Sequence, residues 1–148
     1  MFKPDMLIIH CSATKDSGTV SWPAIRRYHK NERGWLDIGY HFGVEYVGAE
    51  VEILIGRLPD VPGAHCRDHN HESLGVCVVG DYDVYPPSAL IWGRAVALAR
   101  WICVEWGIRY NNVWGHREFD NKKTCPGLKF DMDKFRYEMQ GGTAWPPN

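Results

Sequence analysis

The sequence lacks a long apolar run and a surplus of either charge. Its first residues contain only a short apolar segment, Met6 to Ile9, which is too short for a signal-peptide core or a membrane span. The formal net charge is −1, from 17 Lys and Arg against 18 Asp and Glu. Because no excess of cations is available to neutralise phosphates, we do not expect direct binding to nucleic acid.

Closely spaced cysteine pairs are also missing. The five cysteines stand at positions 11, 66, 77, 103 and 125, and no gap between them is the CxxC spacing of a zinc knuckle or a redox pair. An odd number of cysteines without a signal peptide argues against a disulfide framework and fits synthesis in a reducing cytoplasm. The thiols then stay free, and one of them can serve as a metal ligand.

The chain shows no repeat, linker or second domain. Its 148 residues, with 45% hydrophobic content, match one domain of ordinary size. We therefore predict a single domain over residues 1–148, with a core from about residue 6 to residue 139 and a loose tail over 140–148.

Strand and helix patterns alternate along the chain. Short apolar or alternating stretches predict strands at Met6–His10, Tyr40–Val47, Val51–Ile55, Leu74–Val79 and Val113–Trp114. Between Gly56 and Ser73 lies a long loop with three histidines, of the kind that often borders a binding site. Interleaved strands and helices predict an α/β domain in which one central sheet is flanked by helices.

Three helices are predicted from their caps and spacing. The first begins at Ser21 with Pro23 in its first turn and should stop at Gly34. The second is capped by Ser88 and closed by Gly107. Its apolar face consists of Ile91, Ala95, Leu98, Ile102 and Trp106. The third covers about Asp131 to Met139.

Three residues have the types that a catalytic zinc site uses. His10 ends a predicted buried strand, where its side chain can point into a cleft while Cys11 points to the opposite face. His116 and Cys125 lie in one loop, and a turn at Pro126 follows the cysteine. Two imidazoles and one thiolate with an open fourth position form a known catalytic zinc set. Taken singly, histidines at strand ends and buried free cysteines are more often structural.

Five segments along the chain form an ordered set of motifs: Ile9–Thr14 (IHCSAT), Gly34–Phe42 (GWLDIGYHF), Gly63–His65 (GAH), Asn70–Val76 (NHESLGV) and Lys123–Pro126 (KTCP). In this order they resemble the N-acetylmuramoyl-L-alanine amidases of the phage lysozyme type, within the wider family of zinc amidases and peptidoglycan recognition proteins. The likeness is closest to the short amidases of T-odd coliphages, and it spans about Leu7 to Phe130.

This resemblance implies a catalytic site and a function. It implies one zinc ion bound by His10, His116 and Cys125, with Tyr40 and Lys123 beside it as the catalytic pair. It also implies a mixed sheet of about five strands under a surface groove. The reaction would be hydrolysis of the amide between N-acetylmuramic acid and L-alanine by zinc-activated water. The chain would be an endolysin that is made in the host cytoplasm and acts on the cell wall after release.

Other polar residues are candidates for the groove or for structural roles. His65, Asn70, His71 and Trp35 are candidate contacts for the glycan strand and stem peptide. A second metal site at His69 and His71 is not expected, since no HExxH or other ligand spacing accompanies them. The remaining histidines are predicted to be structural, His41 as a buried residue bonded to the backbone and His29 as a solvent-exposed one.

Three other functions stay open at this stage. Relatives without the cysteine ligand bind peptidoglycan without cleaving it, whereas Cys125 is present here. A cytoplasmic amidase that recycles muropeptides would use the same zinc site. A regulator of phage RNA polymerase is a further alternative, with the N-terminal segment as its contact. We expect the chain to be a monomer with peptidoglycan as its principal partner.

Overall fold

Five strands form one mixed sheet at the centre of the protein. The computed structural model describes residues 1–15 and 21–143. The strands are β1 (Met6–Cys11), β2 (Phe42–Val47), β3 (Glu50–Ile55), β4 (Ser73–Val78) and β5 (Val113–Gly115). Their order across the sheet is β3-β2-β4-β1-β5, with β2 and β3 antiparallel and the other pairs parallel. The expected α/β fold with a mixed central sheet is confirmed.

Helices cover both faces of this sheet, namely α1 (Trp22–Asn31), α2 (Ala89–Trp106) and α3 (Met132–Met139). Leu7 and Ile9 of β1 point toward α2 and α3 and join the larger apolar core. A smaller core on the opposite face contains Trp22 of α1 and Cys77 of β4. Because His10 is paired in register with Cys77, its side chain lies on this second face.

The second helix follows its sequence prediction closely. The Ser88 hydroxyl accepts a hydrogen bond from the Ile91 backbone N–H, as expected of an N-cap. Gly107 ends the helix in the left-handed conformation, with φ of 66°. The predicted apolar face is buried at Ile91, Ala95, Leu98 and Ile102, while Trp106 is only half-buried against the core.

The first helix differs from its prediction at both ends. It ends at Asn31 rather than at Gly34, because the chain folds back and the Trp35 N–H bonds the carbonyl of His29. Ser21 occupies the N-cap position, yet the capping oxygens belong to Glu45 of β2. This completely buried carboxylate accepts hydrogen bonds of 2.8–2.9 Å from the Ser21 N–H and one of 3.3 Å from the Trp22 N–H.

The same fold-back corrects the prediction for His29, which is buried rather than solvent-exposed. Only 9% of the residue is exposed, its Nδ1 accepts a hydrogen bond from the Gly39 N–H, and its ring packs against Trp35. Tyr40 also departs from prediction, since it precedes β2 instead of opening it. His41 is buried and bonded to the backbone as expected, through the Gly75 N–H and the Val61 carbonyl.

The predicted loose tail over residues 140–148 is described only in part, because its last five residues lie outside the described residues. None of the helices that the structure describes is long and apolar enough to cross a membrane.

Candidate metal centre and cleft

The parallel arrangement of β1 and β5 brings two histidines together. Ile9 of β1 lies opposite Gly115, the last residue of β5. His10, the next residue of β1, and His116, which directly follows β5, therefore meet at the carboxyl ends of these two strands. Their ring centroids are 4.7 Å apart. The carboxyl edge of parallel strands is where α/β sheets commonly place their ligand sites.

Cys125 completes the group from the loop that follows β5. The ligand atoms of His10, His116 and Cys125 all lie within 4.8 Å of one another. The distance from Cys125 Sγ to His10 Nδ1 is 3.7 Å. Two ligands at ordinary zinc–sulfur and zinc–nitrogen distances in tetrahedral geometry would be about 3.6 Å apart. The donor set and its spacing therefore fit a zinc ion, with a fourth position left for solvent or substrate.

Both histidines present neutral nitrogens to this group. Burial lowers the pKa of His10 well below its usual value, and the neighbouring His65 and His116 add to the effect. Burial also lowers the pKa of His116, with a further contribution from the cation of Lys123. Unprotonated rings at neutral pH have the lone pairs that metal coordination requires.

The thiol of Cys125 needs a cation before it can ionise. Its hydrogen bond with Cys11, and then its burial, raise the pKa of Cys125 far above the usual value for a thiol. The Cys11 backbone N–H donates to Cys125 Sγ at 3.3 Å and favours negative charge on that sulfur, but this effect is smaller. A divalent metal would stabilise the thiolate at this place.

Two side chains fasten the loop that carries Cys125. The guanidinium of Arg117 donates to the carbonyls of Gly127 and Phe130. The carboxylate of Asp83 accepts from the Thr124 hydroxyl at 2.7 Å and from the Leu128 N–H at 2.8 Å. The loop is thus bonded on both sides of the ligand, which limits its movement.

Tyr40 and Lys123 line the same cleft as the three candidate ligands. The Tyr40 ring lies 5.1 Å from the ring of His10 and 6.2 Å from that of Trp22. Burial raises the pKa of Tyr40 well above its usual value, so the hydroxyl keeps its proton at neutral pH. Lys123 is exposed on the wall of the same cleft, and its charge lowers the pKa of both His10 and His116.

These residues line an open cleft of about 1140 Å³. The four candidate groove residues are placed differently within it. Trp35 lies on the cleft wall, half-buried against His29, and Asn70 also lines the wall. The side-chain oxygen of Asn70 accepts from the backbone N–H groups of His65 and Cys66. His71 is exposed and is not part of the cleft lining.

His65 has a position that the sequence did not reveal. Only 8% of it is exposed, and its Nδ1 lies 2.9 Å from Nε2 of His10. The ring is packed on Gly75 in the middle of β4, where a Cβ atom would lie 2.6 Å from its Cγ. A glycine inside a strand is a known sign that another group approaches closely, and that signal was present in the sequence.

Comparison with known proteins indicates a family of amidases. Residues 1–128 match the family described as N-acetylmuramoyl-L-alanine amidase. The endolysin of Escherichia phage T7 is 46% identical over 79 residues, which cover 53% of this chain and 50% of that protein. The endolysin of Klebsiella phage KP32 is 35% identical over 132 residues, covering 87% of this chain and 83% of its own length.

A solved structure has the same fold. Wild-type PGRP-LB from Drosophila superposes with a TM-score of 0.77 at 27% sequence identity, over 99% of this chain and 83% of that one. The stretch that aligns with the T7 endolysin spans only half of that relative, but the family match covers residues 1–128 of 148. The chain belongs to the N-acetylmuramoyl-L-alanine amidase family.

Proposed function

We propose that this protein is a zinc-dependent N-acetylmuramoyl-L-alanine amidase that acts as a phage endolysin. The reaction is hydrolysis of the amide between the lactyl group of N-acetylmuramic acid and the first L-alanine of the stem peptide. The observation that carries this proposal is the convergence of His10, His116 and Cys125 at the floor of an open cleft. The family match and the phage endolysin relatives support the choice of substrate.

The three ligands would hold a single zinc ion. Zinc bound in such a site supplies water of pKa about 7 and polarises the carbonyl that is attacked. His10 contributes Nδ1, the ring atom that faces Cys125. The Cys11 N–H supports the negative charge on the Cys125 sulfur through its hydrogen bond.

Tyr40 is suited to donate a hydrogen bond during the reaction. Because burial keeps the phenol protonated, it cannot serve as a general base at neutral pH. A protonated hydroxyl next to the metal ligands can donate to the oxygen that becomes negative when the amide carbonyl turns tetrahedral. Ring contacts with Trp22 and His29 hold the Tyr40 side chain in place before substrate arrives.

Lys123 supplies a positive charge on the cleft wall. The same charge that lowers the histidine pKa values stabilises negative charge that develops on the substrate. Loss of one such donor typically costs about 3 to 4 kcal/mol of transition-state stabilisation. Lys123→Ala should therefore reduce turnover by about 10²- to 10³-fold while zinc stays bound.

The test combines metal analysis with mass spectrometry of digested peptidoglycan. The wild-type protein should contain about one zinc per chain and release free stem peptides that begin with alanine. Lys122→Ala is the matched control, since it removes the adjacent exposed lysine of the same cleft. Its turnover should stay within a few-fold of wild type. Cleaved sugars or cleaved cross-bridges would refute the amidase assignment, as would full activity after exhaustive chelation.

The same digestion distinguishes an amidase from a protein that only binds peptidoglycan. A protein that recognises the cell wall without cleaving it would retain peptidoglycan on pull-down and release no peptides. Cys125→Ser provides the reference for that behaviour, because it preserves the shape of the cleft and weakens the metal ligand set.

A further inference from the structure

A row of buried polar groups extends from the metal centre into the protein. His10 Nε2 lies 2.9 Å from His65 Nδ1, and His65 Nε2 lies 3.4 Å from the hydroxyl of Ser73. That hydroxyl donates to the backbone carbonyl of His69 at 2.6 Å. His10 and Ser73 are almost completely buried, and His65 is 8% exposed. We call this set the His10–His65–Ser73 row.

The carbonyl at its far end fixes the direction of every hydrogen bond. A carbonyl oxygen can only accept, so the single proton of the Ser73 hydroxyl is committed to His69. The Ser73 oxygen must then accept from His65 Nε2–H. A neutral imidazole has one N–H, which leaves His65 Nδ1 as an acceptor.

The hydrogen bond between His65 and His10 determines which nitrogen of His10 carries the proton. Since His65 Nδ1 accepts, His10 must donate through Nε2–H. The remaining nitrogen of His10, Nδ1, is then unprotonated, and it is the atom 3.7 Å from the Cys125 sulfur. The opposite orientation of the row would put a proton on Nδ1, where the metal is to bind.

The position of His65 is enforced by its surroundings. Its ring occupies the space above Gly75, where any larger residue would displace it. Its backbone N–H donates to the Asn70 side chain at 2.8 Å, which fixes the loop that carries it. His65 is therefore held against His10 by contacts that do not involve a ligand in the cleft.

We propose that His65 is a positioning residue of the metal centre, which holds His10 in the Nε2–H form so that Nδ1 is free to bind the metal. This inference rests on the metal role assigned to His10 in the proposed function. Hydrogen-bonded partners behind a metal-ligating histidine orient the ring and raise its basicity, and their loss typically costs about 10- to 100-fold in metal affinity or activity. His65 thus acts through His10 and not through the substrate.

Variants at positions 65 and 73 test the proposal, with zinc affinity measured by competition with a chelator. His65→Leu removes the acceptor and should weaken zinc binding about 10- to 100-fold. His65→Asn can present its side-chain oxygen near the place of Nδ1 and should restore most of the affinity. His71→Leu changes an exposed histidine of the same loop and is the control, with unchanged affinity expected.

A second measurement does not depend on how the variants fold. Nitrogen-15 NMR of the histidine rings in the zinc-loaded wild-type protein should show His10 protonated at Nε2 and His65 protonated at Nε2.

Ser73→Ala removes the anchor of the row at a residue outside the cleft lining and should also weaken zinc binding. A proton on His10 Nδ1, or zinc binding by His65→Leu as tight as in wild type, would overturn the proposal.

The two proposals fail in different ways. If the wild-type protein releases stem peptides and His65→Leu keeps full zinc affinity, the role of His65 is wrong and the amidase assignment stands. If the wild-type protein binds zinc with the expected histidine protonation but releases no peptides, the amidase assignment fails and the role of His65 stands.

Discussion

Replacing His41 with glutamine should reduce the loss of stability of this protein in acid. His41 is completely buried, accepts a hydrogen bond from the Gly75 N–H through Nδ1, and bonds the Val61 carbonyl through Nε2. Burial lowers the pKa of His41 from 6.5 to about 4. The unfolded chain takes up a proton near pH 6.5, whereas the folded protein resists it until about pH 4.

The size of the effect follows from this pKa difference. Because the pKa of a base is depressed on folding, its contribution is complete above pH 6.5 and is lost as the pH falls toward 4. Linkage gives a loss of about 2 kcal/mol at about pH 5, and about 3.4 kcal/mol well below pH 4, from this one residue. Glutamine cannot titrate, so His41→Gln should lack this part of the pH dependence.

Urea unfolding at about pH 7.5 and about pH 5 measures the difference. Between these conditions the free energy of unfolding should fall by about 2 kcal/mol more in the wild type than in His41→Gln. His71→Gln is the control, since His71 is exposed, and it should retain the wild-type pH dependence. An equal decline in the wild type and in His41→Gln would show that burial of His41 does not oppose its protonation.

Three further substitutions test other parts of the structure. Glu45→Gln removes the charge that caps α1 and should lower the free energy of unfolding by about 2 kcal/mol in urea titrations, and an unchanged value would contradict the capping role. Tyr40→Phe should retain zinc but lose about 10²-fold or more in turnover, because it removes the hydroxyl donor, and wild-type rates would exclude that donor. Asp83→Ala frees the Thr124 hydroxyl and the Leu128 N–H, so zinc affinity measured with a chelator should fall several-fold as the Cys125 loop loosens.

The sequence predicted correctly those helices and strands whose ends are set by residues nearby in the chain. The second helix has its cap, its apolar spacing and its terminating glycine within one continuous segment, so its ends agree with the structure. The β2–β3 hairpin likewise has both strands and its turn close together in the chain. The motif resemblance supported the candidate zinc set of His10, His116 and Cys125, and the structure brings their ligand atoms together.

The sequence predictions were wrong where a residue distant in the chain determined the local structure. Ser21 has the residue type of an N-cap, but a carboxylate 24 positions away supplies the capping oxygens. His29 was expected to face solvent because the end of its helix is polar, yet the segment from Trp35 to Gly39 folds over it.

The sequence by itself determined which residues make up the candidate metal centre, the class of the fold and most helix and strand positions. Periodicity, caps and motif order are properties of neighbouring residues, and they can be read without coordinates. Tertiary structure alone decided the sheet order and the hydrogen-bond row behind His10. His65 lies 55 positions from His10 in the chain, and only the parallel pairing of β1 with β4, together with the space above Gly75, brings the two rings into contact.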